Sequence, residues 1–151
     1  MKKGNKVEGI VLKDQHKKEI DLSSLTGSRV LLSFHPLAWT KVCACQMKDL
    51  EKHQASFEKH QTVALGINVD PIPSKRAWAE ELEIEKTSLL SDFWPHGEVA
   101  RKLGIFREEN GFSERANIIL DEKGVIIFKK IYELTELPDI EEVLSLLAAR
   151  D

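Results

Sequence analysis

Apolar residues follow two patterns along the chain, and together they predict alternating strands and helices. Continuous apolar runs at residues 30–34 and 62–69 are typical of strands in the middle of a sheet that is covered on both faces. Between these runs, residues 41–59 carry a hydrophobic face at alternating spacings of four and three, which predicts one long amphipathic helix.

Shorter patterns precede this segment. Residues 11–12 and 19–22 are apolar or alternating stretches on either side of a polar segment, and they predict an N-terminal β-hairpin. Residues 23–27 predict a turn or a short helical turn, and we expect residues 6–10 to be a frayed start.

The second half of the chain continues the alternation. We predict a helix at residues 75–82 with Ser74 as its cap and a strand at residues 88–91. A loop at residues 92–97 then leads to a short helix that ends at Gly104, and residues 105–113 are expected to be irregular.

A β-hairpin and a helix are predicted to close the chain. Residues 116–121 and 125–128 are strand-like and flank a turn, and the terminal segment has an apolar stripe at helical spacing. The expected fold class is therefore α/β, with a mixed central β-sheet flanked by helices, an N-terminal β-hairpin, and a single domain over residues 1–151.

Composition and charge narrow the possible partners and surroundings. Hydrophobic residues make up 42% of the chain, charged residues 31%, and the formal net charge is −3. This balance argues against nucleic acid or an anionic membrane as a main partner. With no apolar run long enough for a leader or a membrane span, we expect a cytoplasmic protein whose two cysteines are free or catalytic.

The junction between the first central strand and the long helix holds the candidate chemistry. Thr40 is a good N-cap residue, because its hydroxyl can accept a hydrogen bond from a backbone amide of the first helical turn. Cys43 then lies in that turn, where free amides and the positive end of the helix dipole favour the thiolate. We therefore predict that Cys43 is a reactive thiolate.

The residues around Cys43 resemble those of a known family. Pro36, Thr40 and Cys43 match the Pro-x-x-x-Thr-x-x-Cys signature of the peroxiredoxins, a branch of the thioredoxin superfamily. Residues 89–97 are similar to the one-cysteine AhpE-like bacterial branch, and Arg115 sits where the family places an arginine at a strand start.

This resemblance implies a thioredoxin-like fold and a thiol-dependent peroxidase. It implies that Cys43 attacks a peroxide and becomes a sulfenic acid. Arg115 and the backbone amides of Val42 and Cys43 would stabilise negative charge, Thr40 would accept a hydrogen bond from the peroxide and donate one to the sulfur, and Pro36 would shield the sulfur from water.

Two positions near Cys43 depart from the family pattern. Gln46 stands where the family commonly has Glu, and we expect it to support Arg115 without neutralising its charge. Cys45 is an extra thiol on another face of the helix, so it has no role or acts as a resolving cysteine. The family's usual opening segment is also absent from the N-terminal residues.

The expected partners follow from the same resemblance. The substrate would be hydrogen peroxide or an organic hydroperoxide, and an external thiol reductant, either a thioredoxin-like protein or a low-molecular-weight thiol, would restore the enzyme. A homodimer or larger homo-oligomer is expected, with Trp94 and Pro95 in the contact. No nucleotide cofactor is expected because no Gly-rich phosphate loop is present, and the scattered histidines predict no metal site.

Two other functions remain open from the sequence. A thiol–disulfide oxidoreductase would use Cys43 and Cys45 as a redox pair. A non-enzymatic redox sensor would change its oligomeric state on oxidation.

Overall fold

One mixed sheet organises the protein, described by a computed structural model of residues 1–151. Its seven strands lie in the order β2-β1-β5-β4-β3-β8-β9, and two further strands, β6 and β7, form a separate small ribbon. The strands are β1 (Val11–Lys13), β2 (Glu19–Asp21), β3 (Arg29–Phe34), β4 (Thr62–Asn68), β5 (Ser88–Ser91), β6 (Phe106–Arg107), β7 (Phe112–Ser113), β8 (Arg115–Leu120) and β9 (Ile126–Tyr132). The helices are α1 (Lys41–Lys52), α2 (Gln54–Lys59), α3 (Ile72–Glu81), α4 (Glu98–Lys102) and α5 (Ile140–Ala149).

The sheet has a parallel centre and antiparallel edges. Strand β4 pairs in parallel with both β3 and β5, whereas β8 runs antiparallel to β3 and to β9. The N-terminal strands β1 and β2 form the predicted hairpin, followed by a short 3₁₀ turn at Leu22–Leu25. The predicted mixed sheet with an N-terminal hairpin is therefore confirmed.

Strand β3 is apolar except for Arg29 and Ser33, because both of its faces are covered. Leu32 and Phe34 pack on one side with α4 and the N-terminal segment, whereas Leu31 packs on the other side with residues of α1, α3 and α5. All six residues of β3 are buried, so the prediction of a central strand is confirmed. Ser33 faces the same side as Leu31, which places a polar side chain beneath α1.

The long helix predicted at residues 41–59 is interrupted, and this prediction is corrected. Helix α1 ends at Lys52, His53 has φ −102° and ψ 17°, and α2 begins at Gln54. The Asp49 carbonyl accepts from the His53 backbone amide at 3.2 Å and also lies 2.9 Å from the His53 ring nitrogen Nδ1. This second contact favours a local distortion that the apolar spacing did not indicate.

Other boundaries differ from the predicted ones. Helix α3 begins at Ile72 after Pro71, so Ser74 lies inside the helix and does not cap it. Proline has no amide hydrogen and its fixed φ suits a helix start, so the helix begins here instead.

Two segments are more ordered than predicted. Residues 105–113 contain the β6–β7 ribbon. The N-terminal segment is not frayed, because Val7 and Ile10 are buried and the Val7 amide donates to the Gly124 carbonyl at 2.9 Å.

Gly66 allows α1 to lie close to the sheet. A β-carbon at this position of β4 would lie 2.3 Å from the sulfur of Met47 on α1, which is inside van der Waals contact. The close approach brings the start of α1 down toward the ends of β3 and β8.

Candidate active site

Cys43 lies in the first turn of α1 and is fully buried. The first helical hydrogen bond runs from the Ala44 amide to the Thr40 carbonyl at 2.9 Å. The amides of Lys41, Val42 and Cys43 precede it and have no carbonyl partner within the helix. Cys43 therefore sits among free amide donors at the positive end of the helix dipole, as predicted.

Thr40 occupies the N-cap position, but its hydroxyl does not cap the helix. The backbone is extended at Thr40, and the hydroxyl donates to the Leu37 carbonyl at 2.9 Å, with no hydrogen bond from a helical amide. The predicted capping hydrogen bond is therefore wrong, and so is the expected donation from Thr40 to the Cys43 sulfur, because the single hydroxyl hydrogen goes to Leu37. Because the hydroxyl hydrogen is engaged, the oxygen lone pairs remain free to accept.

The turn between β3 and α1 is held by neighbouring elements. The Ala38 amide donates to Asp70 Oδ2 at 2.7 Å, and the Trp39 indole donates to the Ser74 hydroxyl at 3.1 Å. Trp39 has φ 67°, in the left-handed region that a bulky residue rarely adopts. Pro36 is buried at the start of the turn. The turn is thus a constrained segment that sets the position of Thr40.

Arg115, the first residue of β8, brings a positive charge to the sulfur. Its Nη1 donates to Cys43 Sγ at 3.3 Å and to Gln46 Oε1 at 2.8 Å. On the other side of the guanidinium, Nε and Nη2 donate to the Leu134 carbonyl at 3.0 and 2.7 Å. A guanidinium has five N–H donors, so one hydrogen of Nη2 remains for another acceptor.

Gln46 anchors Arg115 from the second turn of α1. Its side chain is buried and accepts from Arg115 as expected, and its own amide nitrogen donates to the Ser33 hydroxyl and the Phe34 carbonyl. Gln46 is neutral, so it does not offset the positive charge of the guanidinium beside the Cys43 sulfur.

Cys45 and Cys43 face different surroundings. Cys43 points into the core, whereas Cys45 is exposed on the outside of α1, and both are free thiols. Val42 lies half-buried between Cys43 and Lys41 in the chain. The two sulfurs are therefore separated while the helix is intact.

A buried polar cluster near Cys43 was not predicted from the sequence. Lys75 of α3 is fully buried and donates to Asn68 Oδ1; Asn68 Nδ2 in turn donates to Asp70 Oδ2 at 2.7 Å. Asp70 is the residue that binds the Ala38 amide, so the cluster connects α3 to the turn before α1. The only sequence signal was a lysine three residues before the buried Trp78, on the inward face of a helix.

Burial controls the charge of this cluster. Burial lowers the pKa of Lys75 to about 7, although the negative charges of Asp70, Asp92 and Cys43 act in the opposite direction. Burial also lowers the pKa of His35 well below its ordinary value, and the positive charge of Lys75 lowers it further. His35 is therefore neutral, with its ring 5.5 Å from that of Trp78 and its Nε2 without a hydrogen-bond partner.

Comparison with known proteins identifies the family of this chain. Residues 4–129 match the model of the AhpC/TSA family. The chain is 36% identical to alkyl hydroperoxide reductase E of Mycobacterium tuberculosis, over 91% of this chain and 90% of that protein. It belongs to the peroxiredoxins.

Further peroxiredoxins match the chain in sequence and in structure. Bovine peroxiredoxin-2 is 31% identical over 87% of this chain and 68% of its own length. The crystal structure of Enterococcus faecalis AhpC superposes with a TM-score of 0.90 at 23% identity, covering 98% of this chain and 91% of that one. The predicted thioredoxin-like fold is confirmed, and the protein is a thiol-dependent peroxidase, an oxidoreductase.

Proposed function

We propose that this peroxiredoxin reduces hydrogen peroxide or organic hydroperoxides at Cys43. The contact of Arg115 with the Cys43 sulfur, at the free-amide end of α1, carries this proposal. The Cys43 thiolate attacks one peroxide oxygen, the O–O bond breaks, and its electron pair leaves with the other oxygen. That oxygen takes a proton and departs as water or an alcohol, and Cys43 becomes a sulfenic acid.

The groups around Cys43 can stabilise the negative charge that moves from the sulfur to the leaving oxygen in this step. Arg115 and the amides of Val42 and Cys43 are donors that favour the thiolate and stabilise the leaving oxygen. The Thr40 oxygen can accept the peroxide O–H, because its own hydrogen is donated to Leu37. Pro36 is buried at the start of the turn and offers no amide hydrogen, and we assign it the role of shielding the sulfur from water.

We propose that an external thiol restores Cys43, so that the enzyme works with one cysteine. The opposite orientations of Cys43 and Cys45 support this over an internal disulfide. One thiol displaces water from the sulfenic acid to form a mixed disulfide, and a second thiol then releases the reduced Cys43. The reductant is a thioredoxin-like protein or a low-molecular-weight thiol.

Because Cys43 has no exposed surface, an external thiol reaches it only when nearby residues move. The first turn of α1 and the constrained turn at residues 37–40 are the short segments that cover it. We propose that this region opens after oxidation.

An exposed apolar surface supports a homodimer. Trp94 is 81% exposed and Phe93 46%, and both line a surface groove with Val11, Pro71 and Ile72. Apolar patches of this kind are typical of protein interfaces. We therefore propose that copies of the chain associate through this surface.

The domain organisation and the cellular location of the chain are also proposals. No helix is both long and apolar enough to cross a membrane. We propose that the chain is a single domain over residues 1–151 that acts in the cytoplasm, where a thiol pool keeps Cys43 and Cys45 reduced.

Peroxide consumption by cysteine variants tests the proposed function. The Cys43→Ser variant should lose turnover, whereas Cys45→Ser should keep it when an external thiol is supplied. Full activity in Cys43→Ser would contradict the proposal. Loss of turnover in Cys45→Ser with a normal first oxidation would instead assign Cys45 as the resolving cysteine.

A further inference from the structure

We propose that Ser33 and Asn117 are positioning residues for the peroxide reaction, because they hold the Gln46 amide with its oxygen facing Arg115. The inference rests on the proposed roles of Cys43 and Arg115. Neither residue hydrogen-bonds to Cys43, and both act through Gln46.

The orientation of the Gln46 amide is determined by its surroundings. The Phe34 carbonyl can only accept, and it lies 3.0 Å from Nε2 of Gln46. The Arg115 guanidinium can only donate, and it lies 2.8 Å from Oε1. The amide therefore has one arrangement that satisfies both neighbours. In the flipped arrangement, the amide oxygen would face the Phe34 carbonyl oxygen and the amide NH₂ would face the guanidinium N–H groups.

Ser33 and Asn117 extend this arrangement across the sheet. The second hydrogen of Gln46 Nε2 goes to the Ser33 oxygen at 2.8 Å, so the single Ser33 hydrogen is free to donate elsewhere. It donates to Asn117 Oδ1 at 2.8 Å. Ser33 and Asn117 are directly paired across β3 and β8, so the strand register places them face to face.

The direction of donation is the same at every step. Arg115 donates to Gln46, Gln46 to Ser33, and Ser33 to Asn117. All four side chains are buried, and hydrogen bonds that donate in series in a low-dielectric interior strengthen one another. Ser33 and Asn117 thereby make Gln46 Oε1 a better acceptor and restrict the movement of Arg115.

The chain of contacts continues toward a carboxylate on α5. Burial raises the pKa of the Tyr132 hydroxyl, whereas the neighbouring Asn117 side chain lowers it. Tyr132 donates to Glu142 Oε1 at 2.8 Å. Glu142 thus places a carboxylate next to Tyr132, on the strand that pairs with the one carrying Asn117.

This arrangement also explains why Gln suits position 46 in this protein. An ionised Glu at position 46 would offer Arg115 an acceptor, but it would have no hydrogen for the Phe34 carbonyl or the Ser33 oxygen. The Phe34 carbonyl would then face a buried carboxylate with no hydrogen between them, which is unfavourable, and Ser33 could donate to that carboxylate only by giving up its hydrogen bond to Asn117. Gln46, Ser33 and Asn117 therefore form a matched set.

A double-mutant cycle tests the proposal. The measured quantity is the single-turnover rate at which hydrogen peroxide oxidises Cys43. We expect Ser33→Ala to slow oxidation about fivefold and Gln46→Leu about tenfold or more. If Ser33 acts through Gln46, the double variant should be no slower than Gln46→Leu alone. Asn117→Ala, made in the wild type and in Gln46→Leu, provides a second, independent cycle. We expect it to slow oxidation in the wild type and to have no further effect in Gln46→Leu.

The control is Ser113→Ala. Ser113 is as deeply buried as Ser33, since each residue is only 1% exposed. Its hydroxyl donates to the Glu114 carbonyl, away from Gln46. We expect this variant to oxidise at the wild-type rate. Oxidation at the wild-type rate in both Ser33→Ala and Asn117→Ala would overturn the inference. So would a double variant whose rate loss equals the product of the losses in the single variants, because Ser33 or Asn117 would then act independently of Gln46. Retained peroxidase activity in Cys43→Ser would instead overturn the proposed function itself.

Discussion

The Arg115 guanidinium lies 3.3 Å from the Cys43 sulfur, although the two residues are 72 positions apart in the chain. Strand β8 pairs directly with β3, and α1 follows β3, so the sheet brings the two side chains together. The contact is held from both sides, by Gln46 and by the Leu134 carbonyl. This arrangement places a fixed positive charge beside a buried sulfur.

Removing the guanidinium should slow the reaction with peroxide far more than it perturbs the fold. We expect Arg115→Met to lower the single-turnover rate by about a hundredfold or more, because preorganised charge is lost at the reacting atoms. Arg115→Lys should recover little of the rate, since an ammonium cannot reproduce the planar set of donors. Arg101→Met, which removes an exposed arginine, is the control; an equal loss there would contradict the assignment.

The Thr40 hydroxyl should matter for catalysis more than for helix stability. Because it donates to Leu37 and does not cap an amide, Thr40→Val should change the free energy of unfolding by only about 1 kcal/mol. The oxidation rate should fall at least about tenfold, and Thr40→Ser should restore it.

Thr26 offers a matched control for this prediction. Its hydroxyl also donates to a carbonyl three residues earlier, that of Ser23, at 2.7 Å. Thr26→Val should have a similar effect on unfolding and none on oxidation. If Thr40→Val behaves in the same way as Thr26→Val, the Thr40 hydroxyl does not bind the peroxide.

Much of this site was accessible from local sequence spacing. Cys43 and Thr40 lie within one strand–turn–helix unit, so the apolar pattern was enough to place them at the start of α1, whereas Pro36 was singled out through the family resemblance. Arg115 was assigned only through the family resemblance, because its contact with Cys43 depends on the pairing of β3 with β8.

Other features could not be predicted because they depend on tertiary structure. The partnership of Ser33 with Asn117 follows from strand register, and the burial of Lys75 follows from how α3 packs on the sheet. The break at His53 arises from a side-chain contact within an otherwise regular apolar pattern.

The buried Lys75 should make stability depend on pH. Its pKa in the folded protein is about 7, whereas an unfolded lysine titrates near the usual ~10.4. Between these values the unfolded chain binds a proton that the folded chain does not, so the free energy of unfolding rises with pH. Comparison with Lys75→Met isolates this contribution, since the other titrating groups are shared.

Urea unfolding of both proteins at neutral and at moderately alkaline pH measures the effect. The stability of the wild type relative to Lys75→Met should increase with pH, by up to about 1.4 kcal/mol for each pH unit. Lys86→Met, at an exposed lysine, should show no such trend. A constant difference between wild type and Lys75→Met would show that Lys75 stays charged when folded.

The exposed surface around Trp94 should control association. We expect Trp94→Glu to convert the proposed homodimer to monomers in sedimentation velocity, because a charge would be buried in an apolar contact. Ile131→Glu changes an exposed apolar residue on the edge strand β9 and should leave the dimer intact. Dissociation by Ile131→Glu alone would place the interface on the β9 edge.

The central claim is that the Cys43 sulfur is the nucleophile that attacks peroxide and accepts one of its oxygen atoms, and mass spectrometry tests it most directly. The reduced protein is treated with one equivalent of hydrogen peroxide in the presence of dimedone, which traps sulfenic acids, and fragmentation of the peptide that contains both cysteines locates the product. The account predicts a trapped sulfenic acid on Cys43, with Cys45 still a thiol. A sulfenic acid on Cys45, or no modification of Cys43 while peroxide is consumed, would contradict it.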